Sequence, residues 1–438
     1  MISSDSLMFG YGSFAVVIGL LLLRIPIGVA LGSVAILGTA YVLNFNVALS
    51  LLQTVPFPLF GDWTLSAIPM FVLMGFLCTE TGLTSGVFAA ARKTFAGIPG
   101  NLGIATIAAC TIFSASSGSS VATAAAMSQV AVPQMLRYGY NPGLATGIVA
   151  AAGTLGALIP PSILMLVYAV FAGVSVSQLF AAGFLPGLLS ATIFATVVMI
   201  RVIGNPANAP SDGVRVGFLE RISALWDVTP LLSLIAFVMG GIFFGWFTPT
   251  EAGALGVVFT ILLSLKKQML SKQAFITASR KAAESTASIF IIAAGASLYS
   301  KFLGLTGVPD ALSATLLSIT DSPVGILLMI AVVYLILGAF IDSMGILLLT
   351  APVVLPIVQA VDINLIWFGI IVVKLLEIGL VTPPVGLNVF VIKSALGDRV
   401  PLGKIFAGTA WFIIGDLVTL GLLIAFPAIS LYLPSLMQ

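Results

Sequence analysis

The sequence predicts an all-α polytopic membrane protein built as an inverted-topology repeat, with two re-entrant helical hairpins and two helices broken at double prolines. Three observations carry this expectation: an extreme apolar composition, a bias of Lys and Arg toward one set of span ends, and a set of Gly and Pro positions that recurs at one fixed spacing.

Of 438 residues, 60% are hydrophobic and 7% charged, and the mean hydropathy is +1.20. A soluble domain carries about 25% charged residues, so lipid must cover much of this chain. The net charge of +2 argues against a nucleic-acid partner. With no histidine, a His proton relay and a His metal site are both excluded. Cys78 and Cys110 stand isolated in apolar segments and read as buried thiols, not metal ligands. No phosphate-binding loop for ATP and no catalytic constellation is visible, which argues against a pump or an enzyme. The N-terminus lacks a basic region and cleavage site and reads as the start of a membrane helix.

A helix needs about 20 mainly apolar residues to cross the hydrocarbon core. Such runs lie near 8–23, 25–44, 65–80, 177–203, 228–247, 251–266, 287–304 and 403–431. The longer segments 143–172 and 364–394 each hold a double proline. Basic residues, from Arg24 and Arg92 through Arg215, Arg221 and Arg280 to Lys404, mark one side as cytoplasmic. Asp62, Asp310, Asp321 and Asp362 mark the other side. The pattern holds only if 101–136 and 323–361 enter and leave on the same side, as re-entrant hairpins. The expectation is about ten crossings, with both termini outside. The division is 1–64 for N-terminal scaffold helices and 65–203 for the first repeat with its hairpin at 101–136. A polar loop, a scaffold helix pair and an amphipathic arm fill 204–286, and the second repeat with its hairpin at 323–361 fills 287–431. Segments 47–63, 84–96 and 267–285 are short and amphipathic, suited to the membrane interface or to ordinary connections.

An offset of 223 superposes Pro133 on Pro356, Gly156 on Gly379, Pro160 on Pro383 and Pro161 on Pro384, and pairs Ser119 with Asp342. Apolar segments align easily by chance; a constant spacing across four Gly and Pro positions does not. Repeats of opposite orientation are the architecture of secondary transporters, which bind substrate and ion at interrupted helices near the midplane.

The double prolines remove backbone donors, so the carbonyls of Gly156 to Ile159 lose their helical partners. Such backbone survives at membrane depth only beside protein or a wet cavity, and a sodium ion is a natural ligand for it. Gly379 to Pro384 offers the same, plus the Thr382 hydroxyl. Simple proline kinks are the competing reading. The first hairpin tip, Ser114 to Ser120 followed by Thr123, is rich in hydroxyls and suits a cation-binding turn with a helix N-terminus behind it. Small-residue helix packing is the alternative, and it accounts for Ala124 to Ala126. The second tip places Asp342 in an apolar run, where an ionisable group is costly and usually functional; helix capping is its other role. Asn388 is a candidate for substrate hydrogen bonding. Glu377 pairs with a nearby lysine such as Lys374, Lys301 snorkels, and Asp416 has no evident partner in sequence.

SASSGSSVATAAA, GTLGALIPPS, GAFID and EIGLVTPPVGLNVFV together are highly specific. Over nearly its whole length the chain resembles the large membrane subunit of tripartite ATP-independent periplasmic (TRAP) transporters. That resemblance implies an elevator-type importer of an organic acid, a carboxylate such as sialic acid or a C4-dicarboxylate, driven by two or more Na+ ions. It implies one sodium site at Ser117, Ser119, Gly156, Ile159 and Pro161, and a mirrored one at Gly338, Asp342, Gly379, Thr382 and Pro384. Substrate would lie near Ser119, Asp342, Ser343 and Asn388. It further implies a small four-helix membrane subunit, here expected as a separate polypeptide, a periplasmic substrate-binding protein, and a place in the bacterial inner membrane. The alternative is a stand-alone sodium–dicarboxylate symporter of related architecture; a channel would need a continuous pore instead.

Overall fold

The computed structural model describes residues 4–210, 216–320 and 322–437; Arg215 and Asp321 lie outside the described residues. The chain opens with α1 (Ser4–Leu22), α2 (Ile27–Val42), α3 (Phe45–Thr54), α4 (Pro56–Phe60), α5 (Ala67–Glu80) and α6 (Val87–Thr94). A hairpin follows, α7 (Asn101–Ser117) and α8 (Ser120–Arg137), then a broken helix, α9 (Pro142–Leu158) and α10 (Ile163–Ala172), and then α11 (Val176–Gly204). Three helices, α12 (Phe218–Phe243), α13 (Pro249–Lys266) and α14 (Lys272–Thr306), lead to α15 (Val308–Ile319). The second half repeats the order: hairpin α16 (Pro323–Gly338) and α17 (Ser343–Ala360), broken helix α18 (Leu365–Gly379) and α19 (Leu387–Leu396), then α20 (Leu402–Ala425) and α21 (Ala428–Ser435).

The repeat extends to the helix caps. Asn141 caps α9 by accepting from Gly143 N at 2.9 Å and Leu144 N at 3.2 Å. Asn364, at the same offset of 223, caps α18 by accepting from Ile366 N at 2.9 Å and Trp367 N at 3.1 Å. In each case a side-chain oxygen satisfies amides that the first helical turn leaves free. The first hairpin turns at Gly118, whose φ of 61° is a left-handed conformation open to glycine. The Pro160–Pro161 and Pro383–Pro384 bonds are both cis.

The two broken helices form the centre. Every residue of α9 from Gly143 to Leu158 is buried, as is α18 from Trp367 to Gly379. Small residues bring the other helices close. A methyl group on Gly28 of α2 would lie 2.5 Å from the Ile291 carbonyl of α14, and one on Gly143 of α9 would lie 2.9 Å from the Lys404 carbonyl of α20. Such close backbone approach is how helices pack where lipid removes the hydrophobic driving force. The outer faces of α11, α13, α14 and α20 expose Ile200, Leu262, Ile291 and Ile414. Cys78 and Cys110 are both buried free thiols, as the sequence predicts.

Two expectations change. Among the described residues eight helices are long and apolar enough to cross a membrane, and a pair bent by 60° (Phe45–Phe60 with Thr64–Glu80) makes nine. The expected count of about ten took apolar runs whole. The run at 25–44 contains a helix of 16 residues, and 364–394 is divided into helices of 15 and 10. Conversely, α17 of the second hairpin is itself long and apolar enough to cross. The second change concerns the arm expected at 267–285. Its residues from Lys272 onward continue without interruption into the span at 287–304 as one 35-residue helix, α14. At 1.5 Å per residue this helix is about 50 Å long, and the boundary placed at 286 falls in its interior. No Gly or Pro stands between Lys272 and Ala294 to break it.

Candidate functional site

Both hairpin tips and the middle of α14 meet in one cleft of about 520 Å³. From the first half come Gly118, Ser119 and Ser120, and from the second come Asp342, Ser343 and Met344. α14 contributes Glu284, Ser285, Ser288, Ile289 and Ile292, a stretch of about two turns. Glu284 Oε1 accepts from Arg280 Nε at 2.8 Å, an (i, i+4) pair on the helix surface.

The second helix of each hairpin starts at the cleft. Ser119 Oγ accepts from Ala122 N at 3.4 Å, and an Asp342 carboxylate oxygen accepts from Gly345 N at 3.1 Å. The remaining free amides of the first turns of α8 and α17, with their partial positive charge, belong to this same corner, an arrangement that favours an anion.

Behind the tips lie the broken helices. In the first half Gly156 packs against Ser119, where a methyl group on Gly156 would fall 2.7 Å from the Ser119 carbonyl carbon. Pro160 leaves the Gly156 carbonyl without an N–H four residues on, and Pro161 does the same to Ala157. Ser162 Oγ donates to the Ala157 carbonyl at 2.5 Å. Ile163 N donates to the Gly118 carbonyl at 3.5 Å and not back to Ile159. Ser117 is buried, with its hydroxyl 3.1 Å from that of Thr123. Pro161 and Ile159 are buried beside it. These residues lie around the tip and the break; the Gly156 carbonyl has no helical N–H to accept from, whereas the Ser119 carbonyl accepts from Thr123 N at 3.1 Å.

The second half is similar but more open. Gly338 and Gly379 meet backbone to backbone; a methyl group on Gly379 would lie 2.7 Å from the Gly338 Cα. Thr382 Oγ1 donates to the Ile378 carbonyl at 2.6 Å and keeps its lone pairs. The Gly379 carbonyl accepts from Thr382 N at 3.3 Å. Pro384 is exposed, whereas its counterpart Pro161 is buried.

Of the residues named for substrate, Ser119, Asp342 and Ser343 line the cleft together. Asn388 does not. It is fully buried, with Nδ2 donating to the Ala150 carbonyl of α9 at 3.2 Å. It packs the broken helices against each other, and its neighbour Leu387 faces the cleft instead. Glu284, Ser285 and Ser288 escaped the sequence reading because the arm was severed from the span; their (i, i+1, i+4) spacing on one face was the available signal.

Glu377 pairs with Lys374 as expected, at 3.0 Å. Asp416 finds its partner in the same lysine, at 2.5 Å across from α20. Ser190 of α11 accepts a third bond from Lys374 Nζ at 3.1 Å. All three charged side chains are fully buried. Lys301 is exposed, away from the cleft.

Residues 14–429 match the family model described as tripartite ATP-independent periplasmic transporter, DctM component. The chain is 39% identical over 379 residues to the C4-dicarboxylate TRAP transporter large permease protein DctM of Pseudomonas aeruginosa, covering 85% of this chain and 86% of that protein. It is 32% identical to the sialic acid TRAP transporter large permease protein SiaM of Vibrio cholerae, over 96% and 97% of the two chains. Among solved structures, the YdaH transporter of Alcanivorax borkumensis shares the fold with a TM-score of 0.59 over 87% of this chain and 89% of that one, at 15% identity.

Proposed function

The chain belongs to the DctM component family of tripartite ATP-independent periplasmic transporters, and from that premise we propose that it imports an organic carboxylate by sodium symport through the cleft between its hairpin tips. It is a multi-pass protein of the bacterial inner membrane and a transporter subunit, not an enzyme.

The observation that carries the proposal is the convergence of Ser119, Ser120, Asp342 and Ser343, from both halves, in one cleft. Two helix N-termini and four hydroxyl or carboxyl side chains suit a small anion with several oxygens. An anion beside Asp342 needs positive charge to offset it, and sodium supplies it. Carbonyl and hydroxyl oxygens are the donors a hard cation takes. One sodium would lie among Ser117, Ser119, Gly156, Ile159 and Pro161, and another among Gly338, Asp342, Gly379, Thr382 and Pro384. Each net positive charge carried inward gains about 2.3 kcal/mol per ~100 mV of membrane potential. Substrate contact falls to Ser119, Asp342 and Ser343, with Asn388 supporting them from behind. The relatives named for C4-dicarboxylate and sialic acid support a carboxylate substrate.

The fold suggests how the site reaches both sides. Hairpins and broken helices pack as a buried body, and α14 spans its length; we read the first as the moving part of an elevator and the second as part of the frame. The partners proposed are a small membrane subunit and a periplasmic protein that delivers substrate. The test is uptake of labelled carboxylates into proteoliposomes, with and without the two partners and an inward sodium gradient. Uptake that needs all three components and the gradient is the expected result. Uptake by this chain alone would make it a stand-alone symporter, and gradient-independent uptake would overturn the sodium assignment.

A further inference from the structure

Beyond Asp342, the cleft carries a second acidic group with its own counter-ion. Its lining holds two carboxylates, Asp342 and Glu284, and no Lys or Arg. Arg280 stands one turn before Glu284 on α14 and pairs with it. Its Nε is 2.8 Å from Glu284 Oε1, and the two side chains are 80% and 61% exposed. The pair uses Nε alone; no other hydrogen bond of this guanidinium occurs among the described residues. Its two Nη groups therefore keep the planar fork that grips a carboxylate through two parallel bonds. The adjacent Lys281 is committed elsewhere, to Glu80 of α5 at 2.6 Å. An exposed (i, i+4) pair contributes little to stability, so it exchanges partners readily.

We propose that Arg280 is a substrate-binding residue at the rim of the cleft, and that Glu284 is its exchangeable counter-ion. A substrate carboxylate takes the free Nη face of Arg280 and shares its charge with Glu284 on Nε, which weakens or displaces that pair, while Ser285 and Ser288 on the same turn hydrogen-bond the rest of the molecule. The Arg280–Glu284 pair keeps the rim near neutral when no substrate is present, and so prevents a fixed positive charge from trapping the anion. This rests on the carboxylate reading of the cleft and adds contacts on α14, beyond the two hairpin tips.

The experiment is the concentration dependence of labelled succinate and labelled sialic acid uptake in the assembled, sodium-driven proteoliposome system. Wild type is compared with Arg280→Ala, Arg280→Lys, Glu284→Gln and, as a charge control, Lys267→Ala. Loss of a charge-assisted hydrogen bond predicts a KM about tenfold or more higher for Arg280→Ala with kcat largely kept. Arg280→Lys should recover part of that loss, Glu284→Gln should lower KM, and Lys267→Ala should match wild type. An unchanged KM in Arg280→Ala, or an equal rise in Lys267→Ala, overturns the assignment and leaves the carboxylate reading standing. Wild type that takes up neither anion overturns the carboxylate reading itself. Both Arg280 and Glu284 are exposed, so equal melting temperatures across the variants will exclude misfolding as the cause.

Discussion

Ser119 and Asp342, 223 positions apart, hold the same place in the two halves: each is the N-cap of its hairpin's second helix, and both side chains line one cleft. The repeat thus delivers two helix starts to a single point from opposite halves, one capped by a neutral hydroxyl and the other by a carboxylate. The difference between serine and aspartate makes the two helix starts unequal: only the second brings a carboxylate to the cleft, where Glu284 of α14 is the other acidic group.

Removing the Asp342 carboxylate tests that difference. As a cap it contributes about 1 kcal/mol, too little to unfold the protein. Asp342→Ala is expected to abolish sodium-driven uptake while the purified protein keeps its melting temperature to within a few degrees. Normal uptake by this variant would remove Asp342 from the site. Ser119→Ala should weaken uptake less, because no charge is lost.

The backbone contacts behind the tips predict a matched pair of defects. A side chain on Gly156 would drive into the Ser119 backbone, and one on Gly379 into Gly338. Neither neighbour is a flexible side chain that can give way. Gly156→Val and Gly379→Val should each destabilise by about 1–3 kcal/mol, with uptake lost in both. A melting curve and an uptake assay on each variant check this, and wild-type uptake in either would separate that glycine from the site.

The lysine shared by Glu377 and Asp416 is a structural prediction. Lys374→Met leaves two buried carboxylates facing each other without their cation, which costs about 3–5 kcal/mol. A thiol-reactive dye reports unfolding here, since Cys78 and Cys110 are buried in the folded chain. The variant should melt well below wild type, and an unchanged melting temperature would show that the carboxylates do not need this partner.

The same two buried thiols make the cleft addressable. Ser288→Cys places a reactive thiol on the α14 wall against a quiet background. A water-soluble maleimide should label it, and the transported carboxylate should slow the labelling. A labelling rate insensitive to every transported substrate would place the substrate elsewhere.

The sequence by itself determined the membrane class, the repeat and the two breaks. Those features are local or periodic: apolar runs of span length, a Gly–Pro spacing, and donors removed by proline at known positions. The repeat also paired Ser119 with Asp342, whereas a substrate place near Ser119, Asp342 and Ser343 came only from the family resemblance. Contacts between residues unrelated by periodicity were beyond its reach. Asp416 pairs with Lys374 only because α18 and α20 pack together. Asn388, polar and close to a break, looked fit for substrate, but the register of α19 against α9 turns it to Ala150. Glu284 enters the cleft because α14 runs unbroken through the point where composition suggested a boundary. Which side chains share a wall is set by helix packing, and apolar helices pack through small residues whose pairings no single helix encodes.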